Sequence, residues 1–296
     1  MATRRSAGID AATLRIFIEM AVLVGVLILC LVLIGKLWAT EPAQVEQPGG
    51  TTEQPEQTTN QTTVSTTETT VPVDTSPEGI FQAFLQEHNL TEADYTEQML
   101  ENYQLYPETR EFILNYPLEK DKEHTADISW ADRSQGVPLF MQWDDRWGYT
   151  PYGKTVGGIS GCGPTCLSMV AFYLTGDTKY TPAYMMEFAA EDGHVGVSGG
   201  TQWTLFSRGA VNLGFHVEEL PLSGSILINR LEKGIPVVIN VGPGDFTQYG
   251  HYIVLTGYAD GYIRVNDPNS RANSEKQWTY EQIEDQIKNL WAISLP

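Results

Sequence analysis

The C-terminal half of the chain, residues 137–296, has the sequence pattern of an α+β domain. One observation is a helical segment, residues 164–174, whose apolar residues share one face and which is followed by Gly176, a residue suited to a left-handed helix end. The other is a pair of strand-like segments, HYIVLTGY and GYIRV, in which apolar and other residues alternate. A helix followed by closely spaced strands predicts a compact domain of the α+β class.

The composition excludes several classes of function. The 296 residues carry a formal net charge of -19, whereas binding to a nucleic-acid backbone requires clustered lysine and arginine. The three cysteines are too few for a disulfide scaffold, and neither a CxxC pair nor a Cys/His set has the spacing of a zinc site. Glycine-rich nucleotide-binding motifs are also missing. We therefore predict a protein that binds no nucleic acid and needs no metal or other cofactor.

The N-terminal part of the chain predicts a membrane anchor. Residues 20–38 form a 19-residue apolar stretch interrupted only by Lys36, and a helix of this length spans about 28 Å. We assign residues 16–38 to one transmembrane helix. Three arginines lie within residues 1–15, so the positive-inside rule keeps these residues in the cytoplasm and the rest of the chain outside the cell. A cleaved signal peptide is the alternative, but the run is long and its exit is a poor cleavage site.

Residues 39–78 predict a disordered tether, because their Thr, Gln, Glu, Pro, Val and Ser residues cannot bury enough apolar surface to form a core.

Residues 79–136 predict a stalk of short helices. Apolar residues recur at helical spacing near its start: Ile80, Phe81, Phe84 and Leu85. Thr91 and Asp94 have the spacing of a capping box. A further helix is predicted to begin at Pro107 and to stop at Pro117.

Cys162 is the candidate nucleophile. It lies between Gly161 and Gly163, just before the predicted helix that begins near Pro164. The partial positive charge of a helix N-terminus stabilises a thiolate, and the glycines leave room for a substrate backbone. Cys166, one helical turn further on, is interpreted as a small core residue. A disulfide between the two thiols is the alternative, although a helix start between them makes its geometry unfavourable.

His251 is the candidate base among five histidines. It opens a predicted strand after a glycine-rich loop, where it would face a cysteine at a helix N-terminus and pair a thiolate with an imidazolium. His194 lies in a polar loop and His216 begins another strand, where exposure is the ordinary expectation. A catalytic imidazole needs a third group to orient it, and Asp267, at the end of the next strand, is the candidate. A turn-forming role in the sequence NDPN is the structural alternative for Asp267.

These motifs resemble those of the bacteriocin-leader-processing cysteine peptidases and their papain-like, C39-like relatives. The resemblance rests on GCGPTCLSM, GHYIVLTGY and VNDPNS, in the order Cys, His, Asp, with FMQWDDRWG before them and KNLWAIS after them. It covers residues 137–294 and implies a papain-like fold, in which the helix that bears the cysteine packs on an antiparallel sheet. The segment PETREFILNYP is similar to a helical region of membrane-anchored members from Gram-positive bacteria, which implies such a source.

The resemblance implies a role for each of four residues. Cys162 would attack the substrate carbonyl, His251 would take and return the proton, and Asp267 would hold the imidazole tautomer. Gln142 corresponds to the residue whose side-chain amide helps to bind the oxyanion. Leader-processing relatives are fused to transporters and face the cytoplasm, whereas this chain has one predicted anchor and no ATPase motif. Cleavage of double-glycine leaders is therefore not implied.

The sequence thus predicts a cell-surface, membrane-anchored cysteine peptidase that acts on peptides or proteins, cell-wall peptides included. Two alternatives stay open. Another thiol acyl-transfer enzyme, such as a peptidoglycan stem-peptide hydrolase or a transglutaminase-like enzyme, would use the same cysteine and histidine, whereas a non-catalytic surface module would use its cleft to bind peptides. The stalk also has two interpretations, a pro-segment that covers the cleft and a helical extension packed on the flank of the domain.

Overall fold

The computed structural model describes residues 74–296, which belong to one compact unit of the chain. The predicted cytoplasmic N-terminus, the predicted transmembrane helix and nearly all of the predicted tether lie outside the described residues. Within residues 74–296, no helix combines the length and the apolar character that crossing a bilayer requires. The membrane anchor thus stays a prediction from the sequence.

The first helices belong to the predicted stalk, and we call residues 77–119 the helical segment. It contains α1 (Pro77–His88), α2 (Glu97–Leu105) and α3 (Arg110–Glu119), with 3-10 turns at Glu92–Asp94 and Pro107–Thr109. The Ser76 hydroxyl caps α1 by accepting from the backbone N–H of Gly79 over 3.0 Å, and Pro77 takes the first helical position. The predicted capping box is confirmed, since the Asp94 carboxylate accepts from the backbone N–H of Thr91 over 2.8 Å.

Pro117 does not end α3, so that prediction from the sequence is wrong. The helix runs from Arg110 to Glu119 and contains Pro117 in its last turn. Proline removes one backbone N–H and crowds the carbonyl four residues earlier, which is why it usually ends a helix. Here the backbone N–H of Lys120 donates to the carbonyl of Tyr116 over 2.9 Å and closes the helix beyond the proline.

The rest of the chain builds a sheet with helices on both faces. A hairpin and a group of helices come first: β1 (Pro151–Tyr152), β2 (Thr155–Val156), α4 (Gly157–Ser160), α5 (Cys162–Thr175), α6 (Pro182–Glu191), a π-helical turn (Leu205–Gly209) and α7 (Ala210–Asn212). The sheet and its connections follow: β3 (His216–Glu219), α8 (Gly224–Glu232), β4 (Val237–Val241), β5 (His251–Ala259), β6 (Tyr262–Asn266), α9 (Arg271–Glu275), α10 (Tyr280–Ile283) and β7 (Ile287–Ser294). The five strands are antiparallel, in the order β3-β7-β4-β5-β6.

Both faces of the sheet are covered, as the alternation of its strands shows. On β4, Val238 belongs to the core that includes α5, whereas Val237 and Ile239 belong to the core that includes α8. On β5, Val254 and Leu255 divide between the same two cores. Helix α5 ends at Thr175, and Gly176 follows it with a left-handed φ of 70°, as predicted. The α+β class is confirmed, with the helix that bears Cys162 packed on an antiparallel sheet.

A third hydrophobic cluster joins the helical segment to the β1–β2 hairpin and α4. Its buried members are Phe81, Leu85, Tyr95, Met99, Tyr103, Phe112 and Ile113 from the segment side, and Tyr149, Val156 and Ile159 from the other side. Phe112 stacks on Tyr149 with ring centroids 4.4 Å apart, and its backbone carbonyl accepts from the Tyr149 hydroxyl over 3.3 Å. The helical segment and the following domain therefore share one buried surface.

Candidate active site

Cys162 is the first residue of α5, and its side chain is partly exposed. Glycine is required on either side of Cys162, because the neighbouring residues leave no room for a β-carbon at position 161 or 163. A β-carbon on Gly161 would lie 2.7 Å from Cε of Met186, and one on Gly163 would lie 2.7 Å from Cγ2 of Thr201. The thiol thus lies at the positive end of the helix dipole, next to backbone N–H groups that have no partner within the helix.

Cys166 lies one turn further along α5 and is fully buried in the core. Both cysteines of the described residues are free thiols, so the disulfide alternative is wrong for this structure. Burial raises the pKa of the Cys166 thiol well above its usual range, and the charges of Cys162 and Asp267 raise it further. Cys166 is therefore an unreactive core residue.

His251 and Asp267 form a buried pair. His251 begins β5 and Asp267 directly follows β6, and the two strands are neighbours in the sheet. Nε2 of His251 lies 2.7 Å from Oδ1 of Asp267, and both residues are buried. An antiparallel hairpin brings the start of one strand opposite the end of the next, which explains how residues 16 positions apart meet.

Two other donors reach the Asp267 carboxylate. The backbone N–H of Asn269 donates to Oδ1 over 2.8 Å, and Nδ2 of Asn273 donates to Oδ2 over 2.9 Å. The backbone N–H of Asp267 in turn donates to Oγ of Ser274 over 2.9 Å. Asn273 and Ser274 both belong to α9, a helix of five residues. The orientation of the carboxylate therefore depends on α9, which the sequence analysis did not identify.

Opposing influences set the pKa of His251. Burial is the largest single influence and lowers the pKa, but the charge of Asp267 and the hydrogen bond to it raise it, as does the neighbouring Cys162 thiol. Together these groups raise the pKa from its usual 6.5 to about 10. Since Nε2 is hydrogen-bonded to Asp267, Nδ1 is the ring nitrogen that can exchange a proton with the Cys162 thiol. The arrangement favours an imidazolium between a carboxylate and a thiol.

Gln142 is buried between α4 and the loop after β6. Its Nε2 donates to the carbonyl of Gly158 over 2.9 Å and approaches that of Ile159 at 3.4 Å. Its backbone N–H donates to the carbonyl of Pro268 over 2.8 Å, and its Oε1 is buried without a partner. One amide hydrogen is thus committed to Gly158, whereas the 3.4 Å contact is weak and leaves the second available to another acceptor.

The other histidines of the domain have different surroundings. His194, which lies in the polar loop, is buried, with Nε2 2.8 Å from Oδ2 of Asp192 and Nδ1 2.9 Å from Oγ1 of Thr204. Both ring nitrogens are therefore occupied, as in a structural histidine. His216 is exposed on the edge strand β3. Among residues 74–296, no three or more His, Cys, Asp and Glu side chains are grouped to hold a metal ion.

Comparisons with known proteins identify similar domains. The model of the Peptidase_C39 like family matches residues 134–294. Among solved structures, the peptidase domain of ComA, a bifunctional ABC transporter of Streptococcus, is 20% identical, covers 54% of this chain and 99% of its own, and has a TM-score of 0.39. A C39-like protein from Bacillus anthracis is 20% identical over 58% of this chain and 98% of its own, with a TM-score of 0.36. No curated protein shows significant similarity to the chain.

Proposed function

We propose, from the premise that this chain belongs to the Peptidase_C39 like family, that it is a cysteine peptidase that hydrolyses peptide bonds. Cys162 is the nucleophile, His251 the general base and acid, and Asp267 the group that orients the imidazole. The observation that carries the proposal is the buried bond of 2.7 Å between Nε2 of His251 and Oδ1 of Asp267, which leaves Nδ1 for the thiol at the start of α5.

The reaction proceeds through a thioester. The Cys162 thiolate attacks the carbonyl carbon, and the carbonyl oxygen takes the electron pair and becomes an oxyanion. When this intermediate collapses, the C–N bond breaks and the leaving amine takes the proton from Nδ1 of His251. A water molecule then gives a proton back to Nδ1 and attacks the thioester, which releases the carboxylic acid and restores the thiolate beside the imidazolium. The Asp267 carboxylate accepts the hydrogen bond from Nε2 of His251 throughout and does not itself become protonated.

Two groups are proposed to stabilise the oxyanion. The first are the N–H groups at the start of α5, which carry the positive end of the helix dipole next to Cys162. The weakly bound N–H of Gln142 is the second donor. Its bond to the carbonyl of Gly158, at 2.9 Å, supports this role because it fixes the amide next to α4, the short helix that precedes α5.

The substrate is proposed to be a peptide or protein outside the cell, cell-wall peptides included. Support for the location comes from the sequence alone: the apolar stretch within residues 16–38 and the arginines before it predict a single-pass anchor with an external catalytic domain. A Gram-positive bacterium is the source that the resemblance implies.

The first test is the pH dependence of alkylation of the full chain by iodoacetamide, measured separately at Cys162 and Cys166 by peptide mass spectrometry. A free thiol, with a pKa of about 8.5, reacts slowly at pH 6. We expect Cys162 to react at pH 6 at least tenfold faster than such a thiol, and to lose this advantage in His251→Ala. The exposed His216→Ala is the matched control and retains the wild-type rate. A Cys162 rate that follows the free thiol in every variant contradicts the proposal.

A second test separates the possible substrates. An unfolded protein and purified peptidoglycan are each incubated with the wild-type chain and with Cys162→Ala. Hydrolysis of the protein that disappears in the variant supports a peptidase, whereas release of stem peptides from the wall supports a peptidoglycan hydrolase. Binding of either material by both proteins without hydrolysis would favour a non-catalytic binding module.

A further inference from the structure

The helical segment contacts the loops of the candidate site from outside the region that the family model matches. Glu108 lies in the 3-10 turn between α2 and α3, whereas the match begins at residue 134. We propose that Glu108 is a positioning residue that holds α9 and, through α9, the carboxylate of Asp267. This inference rests on the proposed function of Asp267. It implies that the helical segment helps to position the residues of the site.

The Glu108 carboxylate caps α9 from a distant part of the chain. Oε1 accepts from the Ser270 hydroxyl over 2.8 Å and from the backbone N–H of Ala272 at 3.3 Å. Oε2 accepts from the backbone N–H of Arg271 over 2.9 Å. The carboxylate thus binds the first N–H groups of the helix and adds a negative charge at the positive end of its dipole.

Helix α9 depends on such help because it is only five residues long. A helix of this length is unstable by itself, since too few backbone bonds follow its nucleation. Its internal cap comes from Ser270, whose Oγ accepts from the backbone N–H of Asn273 over 3.2 Å. The same Ser270 hydroxyl donates to Glu108. The position of Asn273, which donates to Oδ2 of Asp267, is therefore coupled to Glu108.

Glu108 is itself held firmly. Its neighbour Thr109 is fully buried, and the Thr109 hydroxyl donates to the carbonyl of Tyr106 over 2.9 Å. One residue further along the chain, Nε of Arg110 donates to the carbonyl of Tyr103 over 2.9 Å. A carboxylate on such a turn loses little conformational freedom when it binds α9, which is what a positioning group requires.

The same segment contacts two further parts of the site. Tyr249, two residues before His251 in the loop that leads into β5, donates its hydroxyl to the Glu101 carboxylate. The Phe112 ring covers Gly158, whose carbonyl binds Nε2 of Gln142. The segment thus supports the sites of the base, the orienting acid and the proposed oxyanion donor. From these contacts we infer that activity requires the segment, whereas removal of a pro-segment would activate the enzyme.

The test is an NMR titration of the His251 imidazole in the full chain, with Cys162 alkylation at pH 6 as a second readout. In Glu108→Ala we expect the midpoint of the His251 titration to fall by at least one pH unit and the alkylation rate to fall at least fivefold. Glu108→Gln retains the volume and one acceptor oxygen and should give smaller changes in the same direction. Glu111→Ala is the matched control, because Glu111 is exposed and, within residues 74–296, makes no side-chain hydrogen bond.

The outcomes separate this inference from the proposed function. If His251 of the wild-type chain titrates near 6.5, its pairing with Asp267 and the proposed function both fail. If the wild-type midpoint is raised but Glu108→Ala and Glu108→Gln leave it unchanged, the function stands and the positioning role is overturned. If Glu108→Ala does not fold, Glu108→Gln decides: an unchanged midpoint overturns the inference, and a lowered midpoint with an unchanged unfolding temperature supports it.

Discussion

The ring of Phe112 lies so close to the backbone of Gly158 that a β-carbon at position 158 would overlap the ring atoms Cζ and Cε1. Gly148 contacts the same ring, since a β-carbon there would lie 2.6 Å from Cε2. Two glycines of the domain therefore form the surface that receives one aromatic side chain of the helical segment. Glycine is required here for close approach.

Substitution of Gly158 by alanine should overpack this contact. We expect Gly158→Ala to lower the free energy of unfolding by about 2 kcal/mol, measured by urea denaturation. The smaller side chain in Gly158→Ala/Phe112→Leu should recover part of the loss, as a double-mutant cycle would show. Gly200→Ala is the matched control, because a β-carbon there meets nothing within 4 Å. Simple additivity of the two substitutions would contradict the packing.

An amide at position 267 should still orient the His251 imidazole, but it cannot supply the negative charge of the Asp267 carboxylate. The amide that Asp267→Asn introduces can still accept from Nε2 of His251, and Asn273 can rotate its own amide to present an oxygen to the new side chain. We therefore expect Asp267→Asn to retain at least tenfold more kcat/KM than Asp267→Ala. Loss of the negative charge should also lower the pKa of His251, so the alkaline limb of the rate profile moves to lower pH. Equal losses in both variants would contradict an orienting role.

The raised pKa of His251 links stability to pH. The folded chain holds the proton to about pH 10, whereas an unfolded histidine loses it near 6.5. The stabilisation is therefore fully present below about pH 6.5 and is lost as the pH rises towards 10. The free energy of unfolding should fall across this window, by at most about 1.4 kcal/mol per pH unit for one proton. Subtraction of the His251→Ala curve isolates the effect, and parallel curves would contradict it.

Substitution of each cysteine of α5 should affect a different property: the change at Cys162 removes hydrolysis, and the change at Cys166 lowers the free energy of unfolding. Cys162→Ser should abolish hydrolysis while changing the free energy of unfolding by less than about 0.5 kcal/mol, because its side chain is partly exposed. Cys166→Ser places a hydroxyl in a fully buried apolar site and should cost about 1–3 kcal/mol, while kcat/KM changes little. Urea denaturation and peptide hydrolysis of the two variants measure this contrast. Loss of hydrolysis in Cys166→Ser without unfolding would contradict the assignment.

Local patterns in the sequence were sufficient for the parts of the site that lie next to regular elements. Pro164 and the apolar face after it predicted a helix start just after Cys162, and the helix begins at Cys162 itself. Alternation predicted the strand start at His251. The prediction for Pro117 failed because proline is tolerated in a last turn, where the loss of one backbone bond is offset by packing of the helix against the domain.

Contacts between distant segments could not be read from local patterns. Glu108 and Ser270 are 162 positions apart, and nothing near either residue indicates the other. Asn273 lies in a polar stretch that reads as an exposed turn, and only the folded chain shows that its amide reaches Asp267. The burial of His194 was missed for the same reason, since its partners Asp192 and Thr204 become visible only when the loop closes.

The shared hydrophobic cluster indicates that the cooperatively folding unit begins well before residue 134, where the match to the family model starts. A polypeptide that started at residue 134 would keep Tyr149, Val156 and Ile159 but would leave them without the aromatic and aliphatic side chains of the helical segment. Exposed apolar surface of this kind promotes aggregation. Limited proteolysis should accordingly leave a resistant fragment that begins close to Pro77, and soluble production of the domain should need the same starting point.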